Sequence, residues 1–312
     1  MTGLRVDGLG FRYPDGTVAL EPVRLCVEAG EVVGLLGPNG SGKTTLLRAV
    51  ARAALRAEGT VRIEPDRAAA VALALDRPVF RDWLSGPANL EALLRLRGLG
   101  RDEARRRAER WIERFGLSHV VERPVGAYSR GMTQRLGLAC AFAADAGVLL
   151  LDEPLAGLDP SARERLVAAL GSARAAGAAI VLSTHEPDFA TRECDRVAFL
   201  SAGRIVALDR PSDLLARISK DTRLVIGVRG ETIPDPDRLG TPPQGIGGVE
   251  RAPDGLVLFA RDGSAALPAG LGWLLGQGVE IARVEIREPG LRDAYFALTG
   301  ESLGETPAPA AV

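Results

Sequence analysis

Lysine is almost missing from this chain: of 39 basic side chains only Lys43 and Lys220 are lysine, and the rest are arginine. So one-sided a choice reads as a bias of the genome, and a lysine that survives it needs a chemical reason. Charge of one sign is lacking too. Lys plus Arg stands at 39 against 40 for Asp plus Glu, a net charge of −1 that excludes a basic surface wrapping nucleic acid. Cysteine is scarce: Cys26, Cys140 and Cys194 are odd in number and share no ligand-like spacing, so they read as reduced, buried thiols of a cytosolic chain. Long apolar runs are missing. The best, Leu136 to Leu151, is broken by Asp145 and falls short of the roughly 18 residues a spanning helix needs. Met1-Thr2-Gly3-Leu4-Arg5 does not open a signal peptide, and a soluble, intracellular protein is expected. Aromatics are only 4%, but the 312 residues are 46% hydrophobic and 25% charged. That excludes disordered, collagen-like and coiled-coil compositions and supplies the core of one large or two modest domains.

The first 218 residues alternate short apolar runs with helix-period segments, the pattern of an α/β domain. Glu31 to Leu36, Ala69 to Leu75, Val148 to Leu151 and Ala179 to Ser183 read as strands, and Lys43 to Leu55 as a helix. Pro87 to Val125 is polar and helical. Its arginine-rich turn from Glu103 to Arg110 reads as a solvated face with charge pairs four apart, and Trp111, Ile112 and Phe115 form the apolar side. A boundary is expected near Lys220. Beyond it, residues 219–299 read as a small α+β domain. Strands are expected at Arg223 to Val228, Leu256 to Phe259 and Val279 to Val284, with helices near Leu267 to Leu275 and at Leu291 to Leu298. A Pro/Gly-rich stretch runs from Glu231 to Gly248, and residues 300–312 read as a disordered tail.

Gly37-Pro38-Asn39-Gly40-Ser41-Gly42-Lys43-Thr44-Thr45 fits the P-loop pattern, with a strand before and a helix after. Its glycines let backbone N–H groups cradle phosphate oxygens at a helix N-terminus. Lys43 supplies a compact charge for the β and γ phosphates where a guanidinium is too wide, and Thr44 offers a hydroxyl to Mg2+. Nucleoside triphosphate binding follows, and a single such motif means a single cassette. Val148-Leu149-Leu150-Leu151-Asp152-Glu153 is a buried strand ending in two carboxylates, at the strand end where open sheets place ligands. Asp152 suits the Mg2+ shell, and Glu153 suits polarisation of an attacking water.

Together these motifs resemble the ATPase cassette of ABC transporters, because motifs peculiar to that family follow in order. Tyr128-Ser129-Arg130-Gly131-Met132 resembles the ABC signature, with Met132 where Gln is commonest. Pro154 to Pro160, containing Asp159, resembles the stretch with the D-loop, and Ser183-Thr184-His185-Glu186 resembles the switch-histidine loop. Tyr13 stands where members stack an aromatic on adenine. The resemblance covers residues 1 to about 218. It implies a RecA-like P-loop NTPase fold with an antiparallel β subdomain and a helical subdomain. It further implies a head-to-tail homodimer, each ATP lying between the P-loop of one protomer and Ser129 and Gly131 of the other, with His185 at the γ-phosphate. One departure is plain: the family's Gln between P-loop and helical segment is missing, for no Gln occurs from residue 46 to 127. Asp76 aligns there, and a carboxylate can still ligate Mg2+ or orient water. His119 lacks any such context and reads as a surface residue.

The expectation is therefore an ATP-binding, ATP-hydrolysing subunit at the cytoplasmic face of the membrane, driving a separate integral membrane permease. The Tyr128 to Met132 form, acidic Asp76 and a C-terminal Leu291 to Phe296 segment look like exporter cassettes of the drug-resistance type. Two rival classes fit less well. Translation-associated ABC ATPases, which act on nucleic acid or the ribosome, carry two cassettes. Chromosome-organising ATPases are split by long heptad arms, and none is present here.

Overall fold

Alternating exposure sets the first layer. β1 (Gly3–Arg12) buries Leu4, Val6 and Leu9, while β2 (Val18–Val27) buries Leu20, Val23, Leu25 and Val27. β3 (Val32–Leu36) is buried at all five positions and feeds, through the P-loop, into α1 (Lys43–Val50). β4 (Glu58–Glu64) pairs antiparallel with β1, giving a three-stranded sheet of order β2-β1-β4. The computed structural model describes residues 3–51, 57–64, 71–218, 221–229 and 233–303. The helix expected to reach Leu55 thus ends at Val50, and residues 52–56 lie outside the described residues.

After β5 (Val71–Ala74) the chain leaves the sheet for three helices, α2 (Gly86–Leu96), α3 (Arg101–Arg114) and α4 (Arg130–Ala143). Leu90 and Leu94 on α2 and Ala104, Ala108 and Ile112 on α3 are buried, one apolar stripe per helix. Trp111 stacks on Phe115 and Phe142 with centroids 6.0 and 5.6 Å apart, joining α3 to α4. The arginine-rich face of α3 is solvated as expected, with Arg105 on Glu109 and Arg106 on Glu103. The chain then returns through β6 (Val148–Leu151), α5 (Pro160–Ala175), β7 (Ala179–Thr184), α6 (Pro187–Glu193), β8 (Arg196–Ser201), β9 (Arg204–Asp209) and α7 (Pro211–Leu215). A six-stranded sheet of order β5-β6-β7-β3-β8-β9 results, parallel except for β9. β6 and β7 are buried throughout, as central parallel strands covered on both faces must be. The C-terminal ends of β3, β6 and β7 therefore converge beside α1.

A second unit spans Ser212–Ala297. It is a four-stranded antiparallel sheet from β10 (Thr222–Val228), β11 (Ile246–Ala252), β12 (Gly255–Ala260) and β13 (Ile281–Arg287), in the order β11-β12-β10-β13. α8 (Gly263–Gly276) covers one face, burying Ala266 and Leu274 against Leu224, Ile226, Leu256 and Leu258. Gly270 packs closely there: a Cβ would meet Ile246 Cδ1 at 2.9 Å and push that side-chain end aside. α9 (Leu291–Thr299) follows, with Asp293 ion-paired to Arg223. The unit boundary falls ahead of the expected residue 218, because α7 groups mostly with the second unit. β11 begins inside the Pro/Gly-rich stretch and was not among the expected strands. β13 is shifted from the expected Val279 start to Ile281 because Val279 ends the α8 turn, its N–H bonding Leu274 O. Leu298–Leu303 group with the first unit, and Leu303 is buried, so order continues past residue 300; residues 304–312 lie outside the described residues.

Cys140 and Cys194 are buried, and burial pushes both thiols up to about 12. Cys26 is only half-buried, a departure from the expectation of three buried thiols. In the native chain at neutral pH a disulfide-exchange reagent should label Cys26 alone, and all three cysteines after denaturation. Fast labelling of Cys140 or Cys194 would contradict the packing.

Candidate functional site

The P-loop turn is possible only for glycine at two points. Gly42 has φ 105°, and a Cβ there would lie 2.8 Å from Ala19 O; at Gly37 it would lie 2.3 Å from Leu200 O. α1 then starts at Lys43 with no side-chain cap and no acidic residue in its first turn, which leaves its N–H groups and dipole to an anion. Lys43 is buried. Its Nζ donates to Gly37 O at 2.7 Å and Pro38 O at 3.0 Å and lies 3.7 Å from Glu153 Oε1. Burial lowers its pKa, while the nearby Glu153 and Asp152 carboxylates oppose that shift. Ser41 Oγ is buried without a hydrogen-bond partner among the described residues, as is Glu153 Oε1. A cavity of about 400 Å³ lies against Pro38 to Ser41, bordered by Ala202, Glu301 and Ser302.

Beside Lys43, Thr44 Oγ1 lies 3.0 and 2.9 Å from the two carboxylate oxygens of Asp152, so α1 is tied to the end of β6. A hydroxyl and a carboxylate are the hard oxygen donors that Mg2+ takes alongside phosphates, so these residues fit that ion. Glu153 follows with φ 46°, left-handed for a non-glycine residue. The turn brings its carboxylate to Lys43 on one oxygen and, at 2.8 Å from Oε2, to His185 Nδ1 on the other. His185 follows β7 directly, held beside an ion pair in which Arg163 of α5 grips Glu186 with two bonds of 2.7 and 2.9 Å.

The other expected residues fall around this centre. Tyr13 is exposed, packs edge-on to Phe11 at 5.0 Å, and its hydroxyl lies 3.3 Å from Thr45 Oγ1. Ser129 caps α4 by accepting from Met132 N at 3.3 Å, so the signature helix begins at Arg130 and holds Gly131 in its first turn. A Cβ on Gly131 would meet Gly157 O at 2.8 Å, so that glycine lets α4 approach the stretch carrying Asp159. Asp159 itself caps α5 through Ala162 N at 2.8 Å. Asp76 has Arg77 and, at 3.6 Å, Arg130 of the signature as its ion-pair partners, and makes no hydrogen bond to Thr44. His119 is exposed, as expected.

A family model described as "ABC transporter" matches residues 20–156. The chain is 32% identical over 314 residues to the doxorubicin resistance ATP-binding protein DrrA of Mycobacterium tuberculosis, covering 94% of this chain and 92% of that protein. The chain belongs to the ABC transporter ATP-binding proteins. It is also 33% identical to the daunorubicin resistance ATP-binding protein DrrA3 of Streptomyces coeruleorubidus, with 96% of each chain covered. The solved "Structure of ATP binding subunit of ABC transporter" superposes with a TM-score of 0.64 at 30% identity, covering 69% of this chain and 92% of that one. The fold is thus that of an ABC ATPase cassette carrying a smaller α+β unit.

Some residues of this ABC ATPase escaped sequence reasoning as site residues. Ser183, Gln134 and Arg163 contact Glu153 or Glu186, and Glu301 and Ser302 border the P-loop cavity. Only Ser183 had a readable signal, a hydroxyl inside an otherwise apolar strand run. The rest are brought in by packing. Removing a buried charge from a phosphate site costs about 2–5 kcal/mol, so with Lys43 in that role Lys43→Ala should bind a fluorescent ATP analogue at least tenfold more weakly. Lys43→Arg should also bind poorly, because the wide fork does not fit where Nζ reaches two P-loop carbonyls. Parent-like affinity of the arginine variant would refute this.

Proposed function

We propose that the chain is the ATP-hydrolysing subunit of an ABC exporter and powers a separate integral membrane permease at the cytoplasmic face of the membrane. One finding supports export and a second supports a separate permease. Relatives named for doxorubicin and daunorubicin resistance align with nearly its whole length, second unit included. Among the described residues no helix is long and apolar enough to cross a membrane, which fits a permease on another polypeptide.

The observation that carries the chemistry is the position of the Glu153 carboxylate, between Lys43 and His185 and next to the Thr44–Asp152 pair. Lys43 and the free N–H groups of α1 hold the phosphates of ATP. Glu153 takes a proton from a water as its oxygen bonds the γ-phosphorus; the bond to the β-γ bridging oxygen breaks, and ADP leaves with that electron pair. His185 orients the Glu153 carboxylate and the γ-phosphate. Thr44 and Asp152 hold Mg2+, which offsets the charge on the β and γ phosphates when bound. Tyr13 stacks on adenine. Ser129 and Gly131, at the start of α4, serve the ATP on the partner protomer of a head-to-tail homodimer, with Asp159 at the same interface.

Asp76 acts at the position of the missing Gln, and its Arg130 partner joins that position to the signature. Glu153→Gln should lower turnover by roughly 10²–10⁴-fold, keep nucleotide affinity, and trap an ATP-bound dimer visible as doubled solution mass. Near-normal hydrolysis by this variant rejects the assignment. Asp76→Ala should lower ATPase activity and its stimulation by the permease with little change in melting temperature, since an exposed ion pair contributes only about 0–1 kcal/mol. Asp76→Gln should regain part of that activity. Full stimulation of the alanine variant removes Asp76 from the site.

A further inference from the structure

We infer that Ser183 is a positioning residue for ATP hydrolysis, one buried hydroxyl that sets the directions of both carboxylates at the end of β6. The inference rests on the reading of Glu153 as the residue that activates water. Ser183 is fully buried in β7. Its Oγ donates to Asp152 Oδ1 at 2.8 Å and accepts the Glu153 backbone N–H at 2.8 Å. The proton and one lone pair are thus both engaged, each by a different member of the acidic pair.

The need for such a group follows from strand geometry. Successive side chains of an extended strand point to opposite faces, so Asp152 and Glu153 could not both reach the first turn of α1. Yet Asp152 meets Thr44 and Glu153 meets Lys43. The chain resolves this by giving Glu153 a φ of 46°, a conformation that costs a non-glycine residue and persists only where its surroundings enforce it. β6 and β7 pair from Val148↔Ala179 to Leu151↔Leu182 and no further. The Glu153 N–H has left that ladder, and the next residue of β7, Ser183, takes it with a side chain in place of a carbonyl. At the other end of the same residue, Glu153 O accepts Ala156 N at 3.0 Å and lies 3.5 Å from Gln134 Nε2 of the signature helix. Ser183 is the only one of these partners that also holds Asp152, so it sets the angle between the residue assigned to Mg2+ and the residue assigned to water.

The test uses the purified full chain with Mg2+ and ATP, comparing Ser183→Ala and Ser183→Thr, alone and with Glu153→Gln. Misplacing a reacting group by a fraction of an ångström to 1 Å costs up to about 10²-fold, so Ser183→Ala should lose roughly ten- to a hundredfold in kcat. KM and the affinity for a fluorescent ATP analogue should stay within about twofold, the signature of a loss confined to the transition state. Ser183→Thr keeps the hydroxyl and should retain most of kcat. In the Glu153→Gln background the alanine substitution should lose much less, because the group it positions is already disabled. Parent-like kcat in Ser183→Ala overturns the inference, as does equal loss in the alanine and threonine variants at unchanged melting temperature. So does a fall in nucleotide affinity and melting temperature that accounts for the lost activity, which marks a serine of the core alone. An inactive Glu153→Gln beside a fully active Ser183→Ala defeats only this inference. A fully active Glu153→Gln defeats the underlying reading of Glu153.

Discussion

The bond from the Thr44 hydroxyl to both oxygens of Asp152 is the joint on which the site depends. It connects the first turn of α1, which follows β3, to the end of β6, a strand that β7 separates from β3 in the sheet. Because β3, β6 and β7 are parallel, their C-terminal ends lie on one edge. That edge receives the N–H groups of α1, a hydroxyl, two carboxylates and a histidine. A glycine-tight P-loop makes the approach possible, since a side chain at Gly37 or Gly42 would strike the backbone of Leu200 or Ala19. The fully buried strands make it rigid, and a preorganised set of charges loses little to rearrangement when the reaction develops negative charge.

Charge is balanced locally around that joint. Lys43 is a buried cation whose neighbours are two carbonyls and a carboxylate, and burial alone would favour its neutral form. Nearby Glu153 and Asp152 favour the charged form, so the two acids at the end of β6 oppose the loss of the lysine's charge. The arginine bias of the chain sharpens the point, because a planar fork could not sit where one nitrogen reaches both Gly37 O and Pro38 O.

Around this centre, contacts link the stretches that resemble the motifs of an ABC ATPase. Gly131 brings the signature helix onto Gly157, Asp159 begins α5, and Arg163 of the same helix grips Glu186 beside His185. Asp76 meets Arg130 across the gap between β5 and α4. The start of α4 is therefore adjacent to Asp76, and the first turns of α5 to Glu186 beside His185. The second unit has its own core and its own sheet, so it stands as a separate packed body rather than an extension of the ATPase sheet.

Periodicity, glycine spacing and strand-end acids were legible in the amino-acid order because each is local. A run such as Val148 to Leu151, short and bounded by Gly147 and Asp152, reads as a buried strand, and Gly37 to Thr45 needs no distant partner to be read as a phosphate loop. The extent of β11 and the start of β13 were not legible, for their registers depend on which neighbour each strand pairs with, and glycines at 245, 247 and 248 obscure the alternation. The same limit held at the site. Sequence alone determined that this chain carries one P-loop, an Asp152-Glu153 pair and His185. Only the tertiary structure decided that Glu153 turns left-handed onto Lys43 and His185, that Ser183 holds its N–H, and that Asp76 faces Arg130. Those arrangements are set by strand order and close packing between residues far apart in the chain, and no local pattern encodes them.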